Sequence, residues 1–384
     1  MKVTKDIIYI GVNDHEIDLF EGQYQVPNGM AYNSYVIMGE KIAIMDSVDI
    51  HFTNEWLSNI KNVLKDRQPN YLVIQHMEPD HSASIKAFIE QYPDTILVGN
   101  ATSFKMLDQF FEFESETQRL IVKNGETLDL GQHKLSFIFA PMVHWPEVMF
   151  SYDETDKVLF SADAFGKFGA NDVEEEWVNE ARRYYFCIVG KYGLQVQSVL
   201  KKIQNLDIQI ICSLHGPVLN KGLDDYLNLY NTWSLYQAES EGVVIAYTSI
   251  YGNTKKAVEL LNNQLIEQGC EKIVIFDLAR DEISKAVEAA FKYSKLILAT
   301  TTYNADIFPF MKEYIECLIE RNFQNRTIGM IENGSWAPIA NKLMKQKLEN
   351  NKNITYLENN VTIQSSLNNQ SKEMIKKMAI ELCQ

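Results

Sequence analysis

Hydrophobic positions in the first 240 residues alternate between strand-like and helix-like spacing without a fixed order. Two apolar runs flank Gly39-Glu40, which predicts a hairpin between strands at 34–38 and 41–45. Apolar residues recur every three or four positions between 51 and 65, which predicts a helix. Further strands are predicted at 72–74, 95–98, 134–139, 157–161 and 209–212, and further helices at 82–91 and 192–202. This mixture favours an α/β sandwich over a single parallel sheet.

Beyond residue 240 the pattern becomes a regular alternation of apolar strands and amphipathic helices. A polar-faced helix is predicted over 226–239, followed by a hinge at Ser240-Glu241-Gly242. Five strands then alternate with five helices, the strands at 243–247, 272–276, 296–300, 327–331 and 354–357 and the helices at 254–268, 282–292, 310–321, 337–349 and 371–382. Such alternation predicts a doubly wound parallel sheet. We therefore expect two domains, 1–240 and 241–384.

Composition disfavours several classes of function. Lys+Arg 36 against Asp+Glu 51 gives a net charge of −15, which argues against nucleic acid or an anionic membrane surface as a partner. The five cysteines are scattered, with no C-x-x-C pair, which suits a reducing compartment. Residues 1–10 lack the apolar core of a signal peptide, and no apolar run approaches the roughly 20 residues of a membrane span. We expect a cytoplasmic protein.

The segment His76-Met77-Glu78-Pro79-Asp80-His81 places four potential metal ligands at the end of an apolar strand. If this segment stays extended, residues 76, 78 and 80 point to the same side. Three further candidates are His144 in a loop, Asp163 at the end of a strand, and His215 just after one. A single histidine in such a place is usually a hydrogen-bonded structural residue. The joint pattern predicts a binuclear metal site.

The types of ligand narrow the choice of metal. Histidines and carboxylates without a thiolate exclude iron–sulfur clusters and structural zinc. The carboxylates of Glu78, Asp80 and Asp163 favour iron or manganese over zinc. Asp163 is the natural bridge, because a shared carboxylate lowers the repulsion between two cations. The other histidines, which fit no such pattern and are expected to be surface or structural, are His15, His51 and His133.

A possible phosphate-binding loop follows the first strand of the C-terminal alternation. It opens a helix, where hydroxyl and backbone N–H groups bind phosphate, and it lacks the lysine of a nucleoside-triphosphate loop. Turns and helix caps use the same residue types, but this position is where FMN phosphate binds in flavodoxin-like sheets. The expected flavin-binding residues here are Thr248, Ser249, Ile250, Tyr251, Gly252, Asn253 and Thr254.

Two later loops, 300–306 and 332–338, also leave the carboxyl ends of predicted strands. Each carries an aromatic residue suited to stacking on a flavin ring, although either aromatic alone is more simply interpreted as a core residue. Their expected flavin-binding residues are Thr302, Tyr303, Asn304, Ala305, Asn333, Gly334, Ser335 and Trp336.

Taken together, these motifs resemble the flavodiiron proteins, also called A-type flavoproteins, over essentially the whole chain. Hydrolases of the metallo-β-lactamase fold usually carry H-x-H-x-D-H, and Glu78 in place of the second histidine is the flavodiiron variant. The three C-terminal loops resemble those of flavodoxin. The third loop has fewer Gly, Ser and Tyr residues before its tryptophan than the commoner pattern of that family. The resemblance implies an N-terminal metallo-β-lactamase-like αββα sandwich followed by a C-terminal flavodoxin-like doubly wound parallel sheet.

The resemblance also implies how the irons are held. One iron takes His76, Glu78 and His144. The other takes Asp80 and His215, and Asp163 bridges the two. His81 matches the motif, and the family allows it either to bind iron or to lie beside a ligand. Trp145 is expected to wall the site.

The activity implied is reduction of O2 to water and/or of NO to N2O at a non-haem diiron site that FMN re-reduces, an oxygen- or NO-detoxifying oxidoreductase. The implied assembly is a head-to-tail homodimer or a dimer of dimers. An external carrier such as rubredoxin is expected as the electron donor, because the chain has no C-x-x-C pair of a fused rubredoxin domain.

Two other interpretations stay open at this point. The first is a metal-dependent hydrolase of the metallo-β-lactamase fold, with zinc-activated water and a fused flavodoxin domain. Glu78 and the flavin loops argue against it. The second is a flavin electron carrier with a purely structural front domain. The complete ligand set argues against that, because an empty site would bury uncompensated carboxylates.

Overall fold

The computed structural model describes residues 1–113 and 117–383. The chain divides into two compact units, Met1–Asn231 and Thr232–Gln384. The division falls before the expected boundary at 240, because the intervening residues bond to the second unit. Arg326 Nη1 donates to the carbonyl of Tyr236 at 2.8 Å, and the Glu239 N–H donates to the carbonyl of Lys292 at 2.9 Å.

The first unit contains fifteen described strands. In chain order they are β1 Ile7–Tyr9, β2 Val12–Asp14, β3 Leu19–Phe20, β4 Tyr24–Gln25, β5 Met30–Tyr32, β6 Tyr35–Met38, β7 Ile42–Met45, β8 Tyr71–Val73, β9 Ile96–Gly99, β10 Arg119–Ile121, β11 Thr127–Asp129, β12 Lys134–Phe139, β13 Met149–Asp153, β14 Val158–Phe160 and β15 Ile210–Cys212.

Its described helices are α1 Thr53–Leu64, α2 Pro79–Ser82, α3 Ile85–Gln91, α4 Ala101–Phe110, α5 Trp177–Tyr184 and α6 Gly193–Ile203. A further helix, α7 Leu223–Ser234, includes the boundary between the units. A 3-10 turn, Ile50–Phe52, precedes α1, and a π-helical turn, Tyr185–Val189, and a 3-10 turn, Gly190–Tyr192, link α5 to α6.

Two sheets of the first unit pack face to face. One has the order β1-β6-β7-β8-β9-β10, and the other has the order β11-β12-β13-β14-β15. Their facing side chains form one apolar core, in which Tyr35 and Val73 of the first sheet join Phe137 and Phe160 of the second. The predicted hairpin is β6 and β7, paired antiparallel with Tyr35 opposite Met45. This is the sandwich that the sequence predicts.

The second unit alternates strands and helices in the predicted way. Its elements are β16 Ser240–Tyr247, α8 Asn253–Glu267, β17 Ile273–Asp277, α9 Ile283–Lys292, β18 Tyr293–Tyr303, β19 Asp306–Ile307, α10 Pro309–Glu320, β20 Arg326–Asn333, α11 Ala340–Lys347, β21 Ile354–Tyr356, β22 Val361–Ile363 and α12 Asn369–Leu382. The main strands run in parallel in the order β17-β16-β18-β20-β21. This is the 2-1-3-4-5 order of flavodoxin-like sheets.

Several local predictions were wrong. The segment Ser240-Glu241-Gly242 is not a hinge, because it begins β16 and Ser240 pairs with Tyr293. The helix predicted over 226–239 ends at Ser234 in α7. The last strand is split into β21 and β22, both paired with β20. Among the described residues, no helix is long and apolar enough to cross a membrane.

Candidate functional site

Four of the predicted ligands converge in one group, which we call the first cluster: His76, Glu78, His144 and Asp163. Each offers a ligand atom, and these atoms all lie within 4.8 Å of one another. His144 Nε2 lies 3.1 Å from Glu78 Oε2 and 2.9 Å from Asp163 Oδ2. His76 Nε2 lies 3.3 Å from Glu78 Oε2. Two imidazoles and two carboxylates therefore face the same small volume.

The remaining three predicted ligands form the second cluster: Asp80, His81 and His215. The two Nε2 atoms of His81 and His215 are 3.0 Å apart. Each of them lies 3.3 Å from Asp80 Oδ2. Both histidines therefore direct the same ring nitrogen toward one carboxylate oxygen.

Asp163 lies between the two clusters. Its Oδ2 atom is 3.5 Å from His76 Nε2 in the first cluster, and its Oδ1 atom is 3.4 Å from His81 Nε2 in the second. The carboxylate thus presents one oxygen to each side. This is the arrangement expected of a bridge between two cations.

The turn from β8 into α2 separates the ligands of the sequence motif into two groups. Glu78 is extended, and Pro79 begins α2 at a position where the missing N–H costs no hydrogen bond. Asp80 therefore lies in the helix and joins the second cluster rather than facing His76 and Glu78. The expectation that an extended segment would direct residues 76, 78 and 80 to one side was wrong.

Hydrogen bonds outside the clusters orient the ligand rings. Glu147 Oε1 lies 2.8 Å from His76 Nδ1 and also accepts the Met77 N–H. His215 Nδ1 lies 2.8 Å from the carbonyl oxygen of Ala31. Such partners fix the tautomer, because a proton on Nδ1 leaves Nε2 free to bind a metal.

Asp46 holds the backbone at the start of the motif. Its Oδ1 accepts the N–H groups of Gln75 and His76, at 2.7 and 3.3 Å. Burial raises the pKa of Asp46 to about 6, against the opposing effect of the hydrogen bonds from Gln75. The carboxylate therefore ties the end of β7 to the end of β8 immediately before the first ligand.

The burial of the clusters indicates that cations belong there. His76, His81, Asp163 and His215 are all fully buried. Among the described residues, both oxygens of Asp80 and the Oδ1 atom of Asp163 lack a hydrogen-bond partner. Buried carboxylate oxygens without partners are costly, and metal coordination is one of the few ways to compensate them. The residues present therefore fit a pair of cations.

The charges in the two clusters shift the pKa values of the clustered side chains. Burial by itself would raise the pKa of Asp163, but His76 and His144 hold that pKa well below its usual range. Burial would lower the pKa of His144, but Asp163 and Glu78 raise it to about 9. Protons on the imidazoles thus balance the carboxylates, and cations that bind here displace those protons.

Aromatic rings enclose the clusters. Trp145 meets the His76 ring edge to face at 5.3 Å between centroids, in the walling position that the sequence predicts. Phe20 of β3 meets the His215 ring at 5.4 Å, and Tyr184 of α5 lies at the same distance from it. These rings pack against the imidazole ligands and limit their exposure to solvent.

A cavity of about 330 Å³ lies at the carboxyl ends of β16, β18 and β20 in the second unit. Twelve of the fifteen predicted flavin-binding residues line it: Ser249, Ile250, Tyr251, Asn253, Thr254, Thr302, Tyr303, Asn304, Asn333, Gly334, Ser335 and Trp336. Tyr251 and Trp336 are 92% and 83% exposed. Two aromatic rings left in solvent beside one cavity suit a planar ligand that stacks between or beside them.

The other three predicted residues do not line this cavity but shape it. Thr248 is buried, and its hydroxyl lies 2.7 Å from that of Thr300. Gly252 has a φ of +86°, which favours glycine, and it precedes the first residue of α8. Ala305 lies in the turn between β18 and β19, with a φ of 58°. The sequence missed two lining residues, Thr301 and Ser365.

Hydroxyl groups make the loop before α8 suitable for binding an anion. Ser249 Oγ accepts the N–H groups of Gly252 and Lys255, at 3.1 and 3.2 Å. Thr254 and Thr301 place their hydroxyls 3.3 Å apart at the cavity wall. The start of α8 therefore combines hydroxyl donors with the positive end of a helix dipole, which fits a phosphate group.

Comparison with known proteins agrees with this geometry. The model of the ODP family beta lactamase matches residues 30–216. The nitric oxide reductase of Moorella thermoacetica is 28% identical to this chain. The match covers 90% of this chain and 89% of the reductase. The chain spans 61%, 48% and 45% of the length of three putative diflavin flavoproteins from cyanobacteria.

Solved structures match both units together. The rubredoxin:oxygen oxidoreductase of Desulfovibrio gigas and the flavodiiron protein of Giardia intestinalis each match at a TM-score of 0.91 and 24% identity, covering 100% of this chain and 97% of theirs. By these comparisons the chain is similar to flavodiiron proteins over its whole length. The metallo-β-lactamase-like and flavodoxin-like folds predicted from the sequence are thereby confirmed.

The histidines outside the predicted ligand set have other roles in this structure. His15 and His51 lie on the surface, each beside an aspartate. His133 is buried, and its Nδ1 lies 3.0 Å from Asp153 Oδ2, which makes it a structural residue of the β-sandwich.

Two residues that support the candidate site were not predicted from the sequence. Glu147 orients His76, and Asp46 orients the backbone of the motif. Glu147 stands three positions after His144, and Asp46 ends an apolar strand as Asp163 does. Proximity to a ligand and position at a strand end were the only sequence signals for them.

Proposed function

We propose that this chain is a flavodiiron protein, which reduces O2 to water and/or NO to N2O at a non-haem diiron site that FMN re-reduces. The observation that carries the proposal is the pair of ligand clusters joined by Asp163, together with the lined cavity of the flavodoxin-like unit. A nitric oxide reductase and a rubredoxin:oxygen oxidoreductase among the similar proteins support the same reaction class.

The first iron would be held by His76, Glu78 and His144, and the second by Asp80 and His215, with Asp163 bridging. His81 is proposed as a direct ligand of the second iron. In support, its Nε2 lies 3.3 Å from Asp80 Oδ2 and 3.4 Å from Asp163 Oδ1, so it is directed at the same point as the nitrogen of His215. Three carboxylates among seven ligands favour iron over zinc.

When bound, two ferrous ions and a reduced FMN supply the four electrons for reduction of O2 to two waters, or the two electrons for reduction of two NO to N2O and water. The protein residues supply position and exclusion of water. Glu147 and Ala31 hold the rings of His76 and His215 so that each Nε2 faces inward. Trp145 and Phe20 place apolar rings against the rings of His76 and His215.

The cavity of the second unit would hold FMN. Ser249, Thr254 and the first turn of α8 would bind its phosphate, and Tyr251 and Trp336 would flank its ring system. The arrangement of exposed aromatic rings around a cavity with a hydroxyl-lined base supports this placement.

Replacing Trp336 by Ala is expected to weaken FMN binding by roughly 10-fold, because stacking on an aromatic ring contributes about 1–3 kcal/mol per ring. Tyr251→Ala is expected to have a similar effect, and the double variant a larger one. Fluorescence titration of the flavin-free protein with FMN measures the change in Kd.

Phe310→Ala is the matched control, since Phe310 is a partly exposed aromatic of α10 that does not line the cavity. It should leave the Kd for FMN unchanged. Equal losses in the control and in Trp336→Ala would contradict the proposed stacking.

An external electron carrier is proposed as the donor, and rubredoxin is supported by the name of the Desulfovibrio gigas protein. We also propose a head-to-tail homodimer or a dimer of dimers, in which the flavin of one subunit faces the irons of its partner. Sedimentation over a range of concentrations, combined with turnover measurements, tests this assembly. Full activity of a monomer would contradict it.

The reaction itself is tested by anaerobic stopped-flow on the fully reduced protein, mixed separately with O2 and with NO. Rapid reoxidation of the flavin with water or N2O as the quantified product supports the proposal. A flavin that stays reduced with both gases, or stoichiometric release of hydrogen peroxide from O2, would overturn it. The relative rates with the two gases identify the preferred substrate.

A further inference from the structure

Two cysteine side chains meet at a surface cavity of the second unit, away from the flavin cavity. Cys270 follows the end of α8, and Cys383 directly follows the end of α12. Both line the same cavity of about 390 Å³, together with Lys272 and Lys295. Neither thiol has a role in the proposed function, so the pair needs a separate explanation.

The ends of α8 and α12 hold the two cysteines in place. The helices pack on one apolar core that contains Leu265 and Leu382, and Cys270 packs against that core. The Cys270 N–H donates to the carbonyl of Leu265 at 3.0 Å. Lys295 Nζ donates to the carbonyl of Leu382 at 2.5 Å, one residue before Cys383. Both backbones are therefore anchored beside the shared cavity.

The two thiols differ in accessibility. Cys383 is exposed and Cys270 is half-buried. Burial raises the pKa of the Cys383 thiol, the neighbouring Cys270 thiol raises it further, and Lys295 opposes the rise. Because Cys383 is the more exposed of the two, an electrophile from solvent reaches it first, and Cys270 lines the same cavity and can react next.

We propose that Cys270 and Cys383 are a redox pair that forms a reversible intrachain disulfide on exposure to hydrogen peroxide. The Cys383 thiolate attacks one peroxide oxygen, which breaks the O–O bond, gives a sulfenic acid and releases hydroxide. The Cys270 thiol then attacks the Cys383 sulfur, forms the S–S bond and expels water. In total, two thiols and one hydrogen peroxide give one disulfide and two waters, with both sulfurs oxidised and both peroxide oxygens reduced.

The disulfide would tie the end of the C-terminal helix to the end of α8, whose other end begins at the proposed phosphate loop. It would enclose most of the second unit in one covalent loop, which lowers the entropy of the unfolded chain. The oxidised protein is therefore expected to unfold at a higher temperature than the reduced protein. Oxidation is expected to quicken by about tenfold per pH unit below the thiol pKa, because the thiolate is the nucleophile.

The test exposes the purified holoprotein to hydrogen peroxide, blocks the remaining thiols with an alkylating agent, and maps the peptides by mass spectrometry without reduction. The expected result is one cross-linked peptide joining Cys270 to Cys383, about 2 Da lighter than the two thiol peptides together. Dithiothreitol should reverse the cross-link and the rise in unfolding temperature.

Cys317→Ser is the matched control, since Cys317 is half-buried and does not line this cavity. It should cross-link as the parent does, whereas Cys270→Ser and Cys383→Ser should not. In Cys270→Ser, Cys383 should instead accumulate sulfenic or sulfinic acid. Alkylation of both thiols after peroxide treatment, or oxidation of Cys383 without a cross-link in the parent protein, would overturn the proposal.

Discussion

Replacing Asp163 by Ala is expected to abolish turnover with O2 and with NO while FMN stays bound. Asp163 presents one oxygen to His76 in the first cluster and the other to His81 in the second. Its loss removes a ligand from both cations and leaves their repulsion uncompensated. We expect the rate to fall by at least about 100-fold, since even residues that only support metal ligands typically contribute 10- to 100-fold.

The measurement combines steady-state turnover with iron and flavin analysis of the same sample. Asp153→Ala is the control, because Asp153 is also a fully buried aspartate but pairs with His133 outside the clusters. It should lose stability and keep its turnover per folded molecule. Turnover by Asp163→Ala close to the parent rate would refute the bridging role.

The second large effect is expected from Glu147, which binds no cation itself. Glu147→Ala removes the acceptor at His76 Nδ1 and also the acceptor of the Met77 N–H, at 2.8 and 2.9 Å. The His76 ring then loses its fixed tautomer and orientation. Iron affinity is expected to fall by roughly 10- to 100-fold. Glu147→Gln should lose less, because one carboxylate oxygen serves both groups and the amide oxygen of Gln can take its place.

Competition against a ferrous chelator measures this loss of affinity directly, without recourse to activity. Glu154→Gln is the comparison variant, since Glu154 lies on the surface and pairs with Lys134. An unchanged iron affinity in Glu147→Ala would show that the His76 ring needs no hydrogen-bond partner at Nδ1. Loss of FMN in the same variant would point instead to general unfolding.

The second unit was largely predictable because its strands β16, β17, β18 and β20 contain apolar runs and alternate with helices of clear spacing. The short strands β19 and β22 were not predicted. The first unit was harder. Its strands β3 and β4 have two residues each, which is too short to show a period. The strand Met149–Asp153 is fully buried, so it shows no alternation between inside and outside, and it was missed.

The identities of the candidate ligands could be predicted from the residues alone, whereas their division between two irons came only from the family resemblance. Histidines and carboxylates near the ends of apolar strands can be recognised in the sequence. All seven predicted ligands lie in the two clusters of the structure. Their division into two clusters depends on Pro79 starting a helix, which turns Asp80 away from the direction of Glu78. A proline after an extended residue is compatible with either a strand end or a helix start, so the sequence alone did not decide between them.

The supporting residues could not be predicted because their roles depend on contacts between distant segments. Glu147 reaches back to a histidine 71 positions earlier, and His215 is held by a carbonyl 184 positions earlier. No local spacing encodes such pairs. The same holds for Ser365, which follows β22 and lines the proposed flavin cavity.

The central claim is that one chain holds a pair of irons in its first unit and FMN in its second. Elemental analysis and flavin extraction on protein expressed with ample iron and riboflavin test it most directly. The account predicts about two irons and about one FMN per chain, both retained through purification. Protein that carries zinc alone, or that is colourless and binds no added FMN, would contradict it.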